Sequence, residues 1–131
     1  MTGPLAGIRI IDLTAVISGP LATMMLADQG AEVIKVENPA GGDFTRHAAN
    51  RQGGFSASFL NNNRNKKSVA LNLKEARGRE ALLQLIATAD VLIQNFRPGV
   101  IERMGLGEDE LRKVAPKLIM ASISGFGDTG P

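Results

Sequence analysis

Two periods of apolar and polar positions alternate along this chain. After Gly7 the run IRIIDL (8–13) is almost continuously apolar, the pattern of a short buried strand. Residues 18–30, SGPLATMMLADQG, switch to helical spacing, with Leu21, Met24 and Met25 on one face. Ser18 is placed to cap that helix, Pro20 suits its first turn, and Gly30 can end it in a left-handed conformation. AEVIKVE (31–37) sets β-branched residues between charges and reads as a second strand. Strand, helix, strand in that order predicts a βαβ unit with parallel pairing.

Residues 38–58 show no period and several Gly and Pro, which predicts a long functional or mobile loop. NRNKKSVALNL (63–73) places cations ahead of a short apolar strand. Residues 74–89 follow as a helix with Leu82, Ile86 and Ala89 on one face and a Glu75/Arg79 pair at i, i+4. Gly78 costs that helix roughly 1 kcal/mol against alanine and argues for a later start. DVLIQNF (90–96) is apolar enough for a strand covered on both faces. A short helix bounded by Pro98 and Gly105, a second with acids first and bases last (108–116) and a final strand KLIMASIS (117–124) complete the order. The expectation is an α/β fold, a mostly parallel sheet of four or five strands flanked by helices in a Rossmann-like manner. Ligands bind such sheets beyond the carboxyl ends of the strands, here residues 14–19, 37–42, 95–99 and 124–130.

Composition narrows the function. The chain has 131 residues, 44% hydrophobic and 21% charged, as expected for one globular domain. It has no Cys, which removes disulfides and thiolate chemistry, and no signal-like N-terminus, so a cytoplasmic location is expected. No apolar run approaches the ~18 residues of a membrane span. Absence of Trp and Tyr leaves few platforms for stacking bases, so neither a membrane nor a nucleic acid is expected as partner. Charge is uneven: residues 44–79 hold eight cations and one anion, Glu75, a net of +7 that would attract phosphates.

Asp12, Glu37 and Asp128 fall at or near strand ends as candidate acids or bases, with Asp12 equally placed to cap the segment after its strand. His47 is the only histidine, which argues against a metal site or a serine triad and for a surface role. No G-x-x-x-x-G-K-[ST] loop is present. Gly125-Phe126-Gly127-Asp128-Thr129-Gly130 matches the dinucleotide pattern, but no helix or acidic partner follows it within the sequence. The better lead is basic: Lys74, Arg97 and Arg103 each follow a strand and could meet at one rim of a parallel sheet as a phosphate site.

GIRIIDLTAVISGPLATMMLADQGAEVIKVENPAGGDFTR, NRNKKSVALNLK, ADVLIQNFRPGVIERMGLG and LIMASISGFGDTGP together resemble, in order, the N-terminal third of class III CoA-transferases of the CaiB/BaiF type. The resemblance implies that residues 1–131 are the CoA-binding α/β portion of a larger domain, a truncated part of an interlocked-dimer fold. It implies coenzyme A, as acyl-CoA substrate, held by Leu71, Lys74, Asn95, Phe96, Arg97 and Arg103. Val16, Ile17, Ser18, Asn38 and Ser124 would line the acyl end, and the glycine pattern becomes the family's GFG-x-x-GP turn. Some members have Gln for Ile17, Arg for Asn38 and Lys for Ser124, which argues against a formyl-CoA enzyme.

The implied reaction moves CoA between an acyl-CoA and a carboxylic acid through an acyl-enzyme anhydride on an aspartate. That aspartate is expected beyond Pro131, so this chain alone is expected to be inactive. A homodimer or a complementing C-terminal segment is the implied partner. Two alternatives stay open: an α-methylacyl-CoA racemase-type enzyme, and a non-catalytic fragment binding CoA or a partner.

Overall fold

The structure, a computed structural model, describes residues 2–48, 51–127 and 129. Its centre is a five-stranded sheet built from β1 (Arg9–Asp12), β2 (Glu32–Glu37), β5 (Lys66–Ala70), β6 (Val91–Gln94) and β7 (Ile119–Ser122). The order is β5-β2-β1-β6-β7 and every neighbouring pair is parallel. Strands are therefore added outward from β1 in one direction up to β5, and in the other from β6 onward. That reversal between β1 and β6 is the topological switch point at which open α/β sheets hold ligands.

Helix α1 (Ser18–Asp28) covers one face with Ala27, over Ile10, Val33 and Ile93. Helices α3 (Ala76–Ile86), α4 (Val100–Arg103) and α5 (Glu108–Val114) cover the other, where Leu82, Ile86, Ile101 and Leu111 pack on Ile11, Val36 and Leu92. Ile10 and Ile11 serve opposite faces, as strand alternation requires. Glycine at 30 ends α1 at φ +101°, a conformation costly for any residue with a Cβ.

Several local expectations change. The buried face of α1 is Gly19, Pro20, Thr23, Met24 and Ala27, whereas Leu21 and Met25 face outward. Ser18 is the first helical residue and makes no capping bond; Ile17 stands at the cap position without one. The stretch 38–58 contains a 3-10 turn (Phe44–His47) and a two-stranded ribbon of β3 (Arg51–Gln52) and β4 (Phe55–Ser56). It leads into an unforeseen helix, α2 (Ala57–Asn63), capped by Ser56 Oγ. Lys66 and Lys67 lie inside β5, not ahead of it, and Leu71–Leu73 follow it as a turn.

Helix α3 does begin at Ala76 and contains Gly78. A Cβ there would come within 2.0 Å of the Asn72 carbonyl, so glycine lets the helix press against the 71–74 turn. Gly78→Ala is expected to cost about 1–3 kcal/mol in urea denaturation, as overpacking does. The Glu75/Arg79 pair does not form: Arg79 NH1 donates to the carbonyls of Leu73 and Lys74.

Candidate functional site

Two cavities open at the carboxyl ends of the strands, with Phe96 in the wall of both. The first, about 630 Å³, runs from the end of β1 (Leu13–Ala15) past β2 and the 71–74 turn to α4. Leu71, Lys74, Phe96, Arg103 and Asn38 line it, together with Arg79, Lys35, Glu37 and Asp43, which the sequence did not single out as ligand contacts. The second, about 700 Å³, is bounded by Ser18, Asn95, Arg97 and residues 123–127, including Ser124. Lys74 and Arg103 are thus brought together, while Arg97 lies across Phe96 from them. Val16 and Ile17 line neither cavity and are 46% and 57% exposed. Asp128, Gly130 and Pro131, part of the glycine pattern, lie outside the described residues.

Charge in the first cavity divides into neutralised and free. Glu37, buried, accepts from Arg46 through Nε and NH2 at 2.7 Å each, from Asp43 N at 2.9 Å and from Ser68 Oγ at 2.8 Å. Burial alone pushes its pKa up, but those donors, led by Arg46, outweigh it and hold the carboxyl at about 2. A carboxylate that acidic is a poor proton acceptor near neutral pH, which removes Glu37 as a base. Arg46 is itself packed 3.8 Å over the Phe59 ring of α2.

Asp43 accepts from Thr45 N (2.9 Å), Thr45 Oγ1 (2.8 Å) and Val16 N (3.3 Å). Its Oδ2 stands 3.0 Å from Lys35 Nζ, a charge contact without hydrogen-bond geometry. Burial raises the Asp43 carboxyl, and the Thr45 amide and Lys35 more than reverse that, leaving it below the usual range. Among the described residues Lys74, Arg79 and Arg103 have no ion-pair partner, so the cavity keeps three uncompensated cations.

The +7 stretch is correspondingly weaker than its count. Arg46, Arg64, Lys66 and Lys67 pair with Glu37, Asp28, Asp12 and Glu32, acids from outside that stretch. Asp12 is fully buried, accepting from Thr14 N and Thr23 Oγ1 besides Lys66, so it is a structural anchor. His47 is exposed, its Nε2 3.0 Å from the Gly41 carbonyl.

The turn between β1 and α1 is strained and held. Val16 sits at φ +73°, which for a β-branched residue costs on the order of 1–3 kcal/mol. The Asn95 carboxamide brackets the residue before it, accepting from Ala15 N at 2.9 Å and donating to Ala15 O at 2.8 Å. Asp43 takes the Val16 amide on the other side. Asn95→Ala is expected to speed hydrogen exchange at Ala15 and to lower stability by about 1–3 kcal/mol; unchanged exchange at Ala15 would refute the bracket. Ser124 Oγ accepts from Gly127 N at 2.9 Å and so shapes the wall of the second cavity.

A model of the sequence family CoA-transferase family III matches residues 5–131. Succinyl-CoA:glutarate CoA-transferase of Mus musculus is 50% identical over 98% of the chain, and acetyl-CoA:oxalate CoA-transferase of Acetobacter aceti 49% over 98%. These alignments cover 30% and 33% of those proteins, so the chain spans about a third of the relatives' length. A CaiB/BaiF family protein from Brucella suis superposes with TM-score 0.93 at 39% identity, covering all of this chain and 36% of that one. No helix among the described residues is long and apolar enough to cross a membrane.

Proposed function

This chain belongs to CoA-transferase family III, and from that premise we propose that it forms the CoA-binding part of an enzyme exchanging CoA between an acyl-CoA and a carboxylic acid. The observation that carries this reading is the first cavity: apolar walls at the switch point, with three uncompensated cations at its rim. A nucleotide-bearing anion suits such a site, because cations that are already positioned and unpaired gain charge-assisted hydrogen bonds on binding. The residues here bind and orient: Leu71 and Phe96 supply apolar contact, Lys74 and Arg103 meet phosphate, and Arg97 with Ser18 and Ser124 faces the second cavity, toward which the thioester would extend. Covalent work through an aspartate falls to residues beyond this stretch. The curated relatives are named as CoA-transferases, which favours this reading over a racemase.

Titration calorimetry tests it directly. CoA is expected to bind the 131-residue chain, and Lys74→Ala and Arg103→Ala are each expected to weaken it about tenfold, roughly 1.4 kcal/mol apiece. No binding heat at millimolar CoA would remove the reading.

A further inference from the structure

We propose that Arg79 is a phosphate-binding residue, and that with Lys74 it reads the phosphomonoester at the end of CoA farthest from the thioester. This rests on the CoA-binding reading above but adds a residue and a subsite to it.

The geometry begins with what Arg79 already does. NH1 donates to the Leu73 carbonyl at 3.1 Å and the Lys74 carbonyl at 2.8 Å, so the guanidinium is fixed to the backbone of the turn that carries Lys74. Nε and NH2 make no hydrogen bond to the described residues, and the side chain lines the first cavity. The turn itself cannot retreat. Gly78 brings α3 against the Asn72 carbonyl, Glu75 N donates to that carbonyl at 3.1 Å, and Leu71 N donates to the Glu37 carbonyl at 2.9 Å. An arginine held at one nitrogen in the wall of an open cavity, its other nitrogens unbonded among the described residues, has lost much of its rotamer entropy before a ligand arrives.

Position selects the phosphate. Lys74 and Arg79 sit at the β5–α3 end of the first cavity, whereas the second cavity, with Ser18 and Ser124, begins across Phe96. A CoA thioester directed toward the second cavity leaves its nucleotide end among Lys74 and Arg79. The phosphomonoester there carries close to two charges near neutral pH, more than either phosphate of the diphosphate bridge, and so demands the denser pair of cations. Glu37 and Asp43 do not oppose it, being neutralised by Arg46 and Lys35.

Calorimetry with CoA and 3′-dephospho-CoA on the full 131-residue chain decides the matter. The unaltered chain is expected to prefer CoA by at least tenfold. Arg79→Gln, which retains a donor for the two carbonyls and loses the charge, is expected to bring that preference below threefold with its melting temperature little changed. Arg79→Lys, which restores the charge, is expected to recover part of the preference. Equal weakening of both ligands by Arg79→Gln, the mark of a purely structural role, overturns the proposal, as does an unmoved preference. Failure of the unaltered chain to bind CoA sinks the functional reading and this subsite with it, whereas CoA bound with an unmoved preference sinks the subsite alone.

Discussion

Replacing Lys66 with methionine is expected to cost about 3–5 kcal/mol in urea denaturation, a large share of what holds a domain of this size together. The ammonium of Lys66 is buried 3.0 Å from Asp12 Oδ2 and also donates to the Pro20 carbonyl (2.9 Å) and Asn63 Oδ1 (2.8 Å). Methionine fills similar volume, so the penalty is electrostatic: a fully buried carboxylate loses its one ion-pair partner among the described residues and keeps its charge. Asp12→Asn in the same chain removes that charge and is expected to return a substantial part of the loss, a coupling that a double-mutant cycle measures. A single-mutant loss under about 1 kcal/mol would show that the pair contributes little. Burial holds Lys66 below the usual lysine range against the pull of Asp12.

That pair also marks the boundary of what the sequence discloses. β1, β6 and β7 are legible as short apolar runs, β2 as β-branched residues between charges, α1 from its helical spacing and its Gly30 stop although its inward face was misassigned, and α5 from its acids first and bases last; parallel pairing follows from their alternation. Charges inside strands mislead. Lys35 reads as the outward member of an alternating strand, yet it is 1% exposed because β2 lies inside a sheet covered on both faces. A usable signal was present in Asp12, since an acid in an apolar run calls for a buried cation, but the one that meets it, Lys66, comes from β5, beyond β2 in the sheet. Helix α2 escaped because ASFLNNN has no apolar stripe, and of its residues only Asn62 is buried. What holds it is non-local, with Phe59 beneath Arg46 and, just after its end, Arg64 and Asn65 on Asp28. Arg79 was likewise read as a helix-surface partner of Glu75, since spacing on a helix says nothing about carbonyls offered by the turn before it.

Acid should weaken the wall of the first cavity in a defined window. Glu37 titrates near 4.5 unfolded and at about 2 folded, so the unfolded chain takes up its proton first. A depressed carboxyl contributes stability that is complete above about pH 4.5 and lost as pH falls toward 2. At about 1.4 kcal/mol per unit, that interval corresponds to roughly 3 kcal/mol. Protonation unfastens Arg46, Ser68 and the Asp43 amide together, and Asp43 is the residue that holds Thr45, Lys35 and the strained Val16 turn. Exchange protection at Thr45 and Val16 is therefore expected to fall before that at Ile11 or Leu92 in the core. Glu37→Gln should lose the contribution at pH 7 and flatten the acid slope between pH 4.5 and 2. An unaltered slope in that variant would assign the acid sensitivity to other carboxylates and leave Arg46 without the role given to it here.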